Sequence, residues 1–135
     1  MNAKEYLQQI RTTENIINAK LEQCEQLRAM ATRTSSNLSS EWTSGGKKTN
    51  SRLEDCVVKL ISVENGLRYD VYKLAAMKRD AIKKIDAVKN GDYRLLLTLR
   101  YINGLTWEKI AVEMNYSWQH LHKMHSKALA MIKID

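Results

Sequence analysis

The sequence contains no proline and no phenylalanine, and only five of its 135 residues are glycine. Because proline breaks helices and glycine weakens them, a chain this poor in both favours long, uninterrupted helices. It also lacks an apolar run of the ~20 residues that a membrane-spanning helix needs, and its N-terminus has no apolar segment typical of a signal peptide. We therefore expect a cytoplasmic protein.

Cysteine is scarce as well, with Cys24 and Cys56 the two in the chain. They form no CxxC pair, and their spacing suits neither a zinc site nor a disulfide framework. Both fall on apolar helical positions, which predicts buried free thiols in a reducing compartment. A disulfide between them is the alternative if their two helices pack antiparallel.

No pattern typical of an enzyme is present. The chain lacks a nucleophile with an adjacent base, a paired-carboxylate site and a glycine loop with phosphate-binding spacing. Of the three histidines only His122 and His125 share a helix face, and no acidic residue or cysteine lies beside them. We therefore expect no catalytic activity, no metal site and no cofactor.

Positive charge is what the chain has in excess, with a formal net charge of +7. This balance favours a polyanionic partner. The charge is uneven, however: residues 68–90 carry seven basic and three acidic residues, whereas residues 91–135 carry six and four. The basic stretch from Lys78 to Lys89 would either add phosphate contacts or form an ordinary solvated helix face.

Apolar residues recur every three or four positions over residues 3–31 and again over residues 52–89. This spacing predicts an all-α fold that begins with a long antiparallel hairpin at 1–90. Between the two helices, residues 32–51 are rich in serine, threonine and glycine, which predicts a flexible loop. Its Trp42 would either fold back onto a helix or anchor a partner.

The second helix of this hairpin carries more apolar surface than the first can cover. The stretch from Val71 to Val88 needs another partner, which is either the C-terminal part of the chain or a second copy. The apolar excess favours a homodimer through the hairpin.

Residues 91–135 are predicted to form a separate three-helix module. A leucine-rich helix, Tyr93 to about Tyr101, is followed by two short helices within Leu105–Leu129. Thr106 and Ser117 are suited to cap the two helix N-termini, and Asn115 tolerates the left-handed conformation that ends a helix. This is the helix-turn-helix pattern, in which the second helix lies in the DNA major groove.

The same stretch resembles region 4 of bacterial sigma factors. The shared pattern is a leucine-rich helix, a Gly-Leu-Thr approach, a Glu-x-Ile-Ala helix, a serine-capped recognition helix and an Ala-Leu exit. These residues are Leu99, Arg100, Tyr101, Gly104, Leu105, Thr106, Glu108, Ile110, Ala111, Ser117, Ala128 and Leu129. With its long helical N-terminal half and the stretch Asp55–Leu60, the chain is also similar to a family of small proteins from phages and prophages of Gram-positive bacteria. That family is similar to the ArpU- and RinA-type regulators of phage late genes.

The resemblance implies a sequence-specific DNA-binding regulator in the cytoplasm of a bacterial host, activating phage late genes together with RNA polymerase. Gln119, His122 and Lys123 would read base edges. Donors to DNA phosphate would be Thr106, Lys109, Ser117, His120, Ser126 and Lys127. The alternative is a helical protein-interaction module that docks on RNA polymerase or on a phage packaging protein without reading DNA.

Overall fold

The computed structural model describes residues 1–40 and 46–134, with the side chains of residues 1–34 and 51–134. The fold is all-α: a long antiparallel hairpin of two helices is followed by three smaller helices that pack together. The elements are α1 (Ala3–Ser40), α2 (Gly46–Asp86), α3 (Gly91–Leu97), a π-helical turn (Thr98–Ile102), α4 (Trp107–Met114) and α5 (Trp118–Ala130). Within the described ranges, no helix is long and apolar enough to cross a membrane.

The hairpin helices are longer than their apolar spacing predicts. The segment expected as a loop, residues 32–51, is helical over 32–40 and again over 46–51. Serine and threonine can remain in a helix by bonding its backbone, and the Thr32 hydroxyl donates to the Arg28 carbonyl at 2.9 Å. The chain has no proline that could end either helix, and the polar residues of this segment do not end α1 or α2 by themselves. Trp42 lies outside the described residues.

Residues Ile16–Tyr72 form one compact unit, called here the hairpin unit. It consists of two antiparallel helical segments with a narrow apolar seam. The described residues buried in it are Ile17, Cys24, Leu27, Cys56 and Leu67. Two ion pairs flank the seam, one between Lys20 and Asp70 at 2.5 Å and one between Arg28 and Glu64 at 2.7 Å. Both cysteines are free and buried, as their spacing predicted.

Met1–Asn15 and Lys73–Asp135 form the second compact unit, called here the head unit. In its first core cluster the beginning of α1 and the end of α2 pack against α3, the π-helical turn and the C-terminal end of the chain. This cluster consists of Leu7, Ile10, Ala81, Ile85, Val88, Leu97, Tyr101, Ala128 and Ile132. The apolar end of α2 is therefore covered by the C-terminal part of the chain.

A second core cluster lies beneath the two short helices. It consists of Leu96, Leu99, Ile110, Leu121 and Met124. The π-helical turn at Thr98–Ile102 belongs to both clusters, since Leu99 packs in the second and Tyr101 in the first. The helix that begins at Gly91 thus provides the apolar floor for α4 and α5, as the run of leucines predicts.

Candidate nucleic-acid interface

The corner between α4 and α5 is set by three residues whose local chemistry favours their positions. The Thr106 hydroxyl accepts a hydrogen bond from the Lys109 backbone N–H at 3.3 Å and caps α4. Asn115 ends α4 in the left-handed conformation, with φ of 57°. The Ser117 hydroxyl then accepts from the His120 backbone N–H at 3.1 Å and caps α5. All three roles were predicted from the sequence.

The approach to α4 is held by two arginines from different parts of the head unit. Arg11 of α1 donates from Nη1 to the Arg100 carbonyl at 2.9 Å and to the Leu105 carbonyl at 3.3 Å. Arg100 also donates to the Leu105 carbonyl, at 3.1 Å, and its guanidinium lies 4.4 Å from the centre of the Trp107 ring. Because this carbonyl lies in the turn before α4, the arginines fix where α4 begins.

The exposed face of α5 carries several hydrogen-bond donors. Its exposed polar residues are Gln119, His120, Lys123, Ser126 and Lys127. Spacings of four, seven and eight residues bring Gln119, Lys123, Ser126 and Lys127 to one side of the helix. No acidic residue occurs from Ser117 to Ile134. The face can donate to acceptors such as phosphate oxygens and the exposed edges of bases.

His120, Lys123 and Lys127 also line a cleft of about 220 Å³ beside α5. Tyr116 and Asp92 also line this cleft, and the Tyr116 hydroxyl donates to the Asp92 carboxylate at 3.4 Å. The His120 ring lies 4.6 Å from the Tyr116 ring. The two lysines therefore lie at the edge of the face, beside a cleft that the Asp92 side chain also lines, while His120 rests against an aromatic ring.

The residues predicted to contact phosphate lie at the surface, and some of their hydroxyl groups already make hydrogen bonds within the chain. Thr106, Lys109 and Ser117 are exposed near the N-termini of α4 and α5, and the threonine and serine oxygens accept capping bonds. The Ser126 hydroxyl donates to the His122 carbonyl at 3.3 Å. Among the predicted phosphate contacts, Lys109 and Lys127 retain cationic side chains at the surface.

His122 does not lie on the exposed face of α5. Its ring is packed between two tryptophans, with centres 4.7 Å from Trp107 and 3.9 Å from Trp118. Its Nε2 atom is buried without a hydrogen-bond partner. A ring held in this way is poorly placed to read a base edge, so the structure separates His122 from Gln119 and Lys123. The spacing of Trp118 and His122, four residues apart in a helix, could have indicated this contact.

His125 is buried below these rings and was not assigned a role from the sequence. Its Nε2 lies 2.7 Å from the Tyr101 hydroxyl, and Trp107 meets it edge-on with ring centres 4.8 Å apart. Burial lowers the pKa of His125 to about 4, and the positive charge of Arg100 adds to the effect. The neutral imidazole is thus part of the core. In the described part of the chain, no group of three His, Cys, Asp or Glu side chains could hold a metal ion.

The basic end of α2 is partly neutralised within the head unit. Lys78 pairs with Glu14 at 2.9 Å, and Lys84 pairs with Asp80 at 3.1 Å. The Tyr6 hydroxyl also donates to the Asp80 carboxylate. This pairing favours the interpretation of this stretch as a structural and solvated helix face.

One protein family matches the chain. The family, DUF1492, is described as a protein of unknown function, and its match covers residues 32–133. Neither the curated proteins nor the solved structures yielded a match. Because the matched region spans well over half of the sequence, the chain belongs to the DUF1492 family.

Proposed function

We propose that this chain is a sequence-specific DNA-binding regulator of transcription whose helix α5 enters the major groove. The observation that carries the proposal is the exposed face of α5, which presents Gln119, Lys123 and Lys127 and is followed by no acidic residue as far as Ile134. Glutamine matches the donor and acceptor pair of adenine, and lysine donates to the acceptors of guanine. The proposal assigns no catalytic step and no cofactor to the chain.

The geometry of α4 and α5 is compatible with this role. A capped α4, a left-handed residue and a serine-capped α5 produce the tight corner that presents the second helix of a helix-turn-helix protein. The N-terminal residues of that helix contact base edges, which would put Gln119 and Lys123 close to the bases. His122 would support Trp107 and Trp118 instead of reading DNA.

The charge of the interface suggests that it acts with a second source of affinity. Each neutralised phosphate contributes roughly 0.9 to the slope of log affinity against log salt, so a few lysines provide only modest binding at physiological salt. The resemblance to sigma-factor region 4 makes RNA polymerase the partner that we favour. A role in activating phage or prophage late genes follows from the likeness to ArpU- and RinA-type regulators, and host-cell cytoplasm would be its location.

A binding experiment with matched charge changes tests the proposal. Affinity for duplex DNA upstream of phage late genes would be measured by fluorescence anisotropy across a salt series. The double variant Lys123→Glu, Lys127→Glu should lose at least about tenfold in affinity, because it reverses two charges that face the phosphates. Lys59→Glu, an exposed lysine of the hairpin unit, is the control and should have a much smaller effect. Equal losses in the two proteins, or no binding by the wild type at low salt, would contradict the proposal.

A protein-interaction module is the second candidate, and one surface favours it. Helix α4 exposes Val112, at 81%, next to Glu113, and both suit a protein partner better than a phosphate backbone. Under this alternative, purified RNA polymerase would retain the chain without DNA, and Val112→Asp would abolish retention. DNA binding with loss only in the lysine variant would favour the first candidate.

A further inference from the structure

Helix α2 carries two apolar stripes, and among the side chains that the structure describes one stripe is buried while the other is exposed. Cys56 and Leu67 are buried in the seam of the hairpin unit. Nearly opposite on the helix lie Val58, Ile61, Tyr69 and Tyr72, which are 65%, 52%, 69% and 76% exposed. We refer to these four residues, together with the exposed Asn65 between them, as the outer stripe.

The spacing of the outer stripe is regular. Tyr69 follows Val58 by eleven residues, and Tyr72 follows Ile61 by the same interval. Eleven residues complete about three helical turns, so the stripe runs straight along one side of α2. Scattered apolar residues on a surface need no explanation, but a continuous helical stripe of this kind is typical of a helix–helix interface.

We infer that the outer stripe is the interface of a homodimer in which two copies of α2 pack antiparallel, centred on Asn65. In this arrangement Val58 faces the partner's Tyr72, because the two lie seven residues on either side of the centre. Ile61 likewise faces the partner's Tyr69, four residues on either side. The two Asn65 amides meet at the centre, where a single polar pair fixes the register of a helical dimer.

Charge at the two ends of the stripe selects the antiparallel orientation. Asp55 and Lys73 are exposed and eighteen residues apart, which is about five turns, so they lie on the same flank of α2. Antiparallel pairing brings Asp55 to within about two residues, or ~3 Å along the axis, of the partner's Lys73. Parallel pairing would instead separate Asp55 from the partner's Lys73 by about eighteen residues, or ~27 Å along the axis, so this ion pair could not form.

The available area suits a dimer of moderate affinity. At roughly 150–250 Å² for each aromatic side chain, the exposed parts of Tyr69 and Tyr72 alone would bury about 400–700 Å² over two chains. Val58, Ile61 and their neighbours bring the total towards the roughly 1,000 Å² that a specific interface requires. This inference does not depend on DNA binding. If the chain does bind DNA, a dimer would also supply a second head unit, which would add to the modest affinity that the few lysines of one α5 provide.

The dimer is tested by sedimentation equilibrium of the full chain over a concentration series. Val58→Asp should raise the dimer dissociation constant by at least about tenfold, because it places two carboxylates against tyrosine rings. Val112→Asp makes the same change at an exposed valine of the head unit and should leave the constant unchanged. Both valines are exposed, and circular dichroism verifies that both variants keep their helix content. A wild type that stays monomeric at its highest soluble concentration would overturn the inference, as would equal effects of the two variants.

Orientation is tested separately by charge exchange. Lys73→Glu should weaken the dimer severalfold at low salt, since it opposes the partner's Asp55, and adding Asp55→Lys should restore the wild-type constant. Failure of the second change to rescue the first would overturn the antiparallel arrangement.

Discussion

The head unit and the hairpin unit each contain a part of both long helices, yet the two units bury their apolar residues to very different extents. In the head unit the ends of α1 and α2 meet α3, the π-helical turn and the C-terminal end of the chain, and Leu7, Ala81, Leu97 and Tyr101 are almost fully buried. In the hairpin unit the described side chains belong to two helical segments, and large ones such as Tyr72 remain exposed. An amphipathic pattern therefore shows which residues can be buried, but the number of packed neighbours decides whether they are.

The largest expected effect compares the same substitution at two positions of α1. Leu7 is fully buried in the head unit, whereas Leu21 in the hairpin unit is 49% exposed. Leu7→Ala should lower the free energy of unfolding by about 2–5 kcal/mol, because it leaves a cavity in a closed core. Leu21→Ala should cost well under half of that. Urea denaturation at a fixed protein concentration measures both, and similar losses would break the distinction between the units.

The second effect concerns pH and arises from the buried histidine of the head unit. The folded pKa of His125 is about 4, against 6.5 for an ordinary histidine. Its contribution to stability is therefore complete above pH 6.5 and is lost as the pH falls towards 4, by about 3 kcal/mol at most.

The variant His125→Gln cannot titrate at this position, so its free energy of unfolding should fall less steeply between pH 6.5 and 4 than that of the wild type. His120→Gln, at an exposed position of the same helix, should follow the wild-type curve. If the His125 variant also follows that curve, burial of a neutral imidazole is not what sets the acid sensitivity.

The third expected effect is on sequence-specific DNA binding, which we assign to the head unit, and it concerns the recognition of a single base pair. Gln119→Ala should cost roughly 1–3 kcal/mol on the cognate site while leaving non-specific binding unchanged, because one bidentate contact to a base edge is lost. Competition binding with cognate and scrambled duplexes gives the ratio of the two affinities directly. A uniform loss on all sequences would move Gln119 from base reading to general affinity.

The smallest expected effect is on the salt dependence of DNA binding. Lys127→Ala should lower the slope of log affinity against log salt by about one, in line with the loss of one phosphate contact. Lys59→Ala in the hairpin unit should leave the slope as it is. A slope unchanged by the first substitution would remove Lys127 from the phosphate contacts.

Features that depend on a few neighbouring residues could be predicted from the sequence. The caps at Thr106 and Ser117 and the left-handed Asn115 follow from the chemistry of single side chains and their own backbone. The all-α class and the two apolar helices follow from spacing. Such signals need no knowledge of the tertiary structure, because the interacting groups lie within one helical turn of each other.

Features that depend on distant residues could not be predicted in this way. His122 faces donors and lysines on a helical projection, but Trp107 is in another helix and packs against its ring. Helix α1 continues through residues 32–40 because no proline ends it, and not because the apolar spacing of a helix extends through this segment. The outer stripe could not be predicted from the apolar spacing, since its exposure becomes visible only when the opposite face of α2 is seen to be occupied.

The Arg11 hydrogen bonds also have a consequence for the order of folding. They connect α1 to the Leu105 carbonyl across a sequence separation of 94 residues. Contacts this distant in sequence close late, because the loop entropy must be overcome before they stabilise anything. During synthesis the first helix leaves the ribosome long before the turn that its arginine holds, so the corner between α4 and α5 can reach its final geometry only after nearly the whole chain has been made.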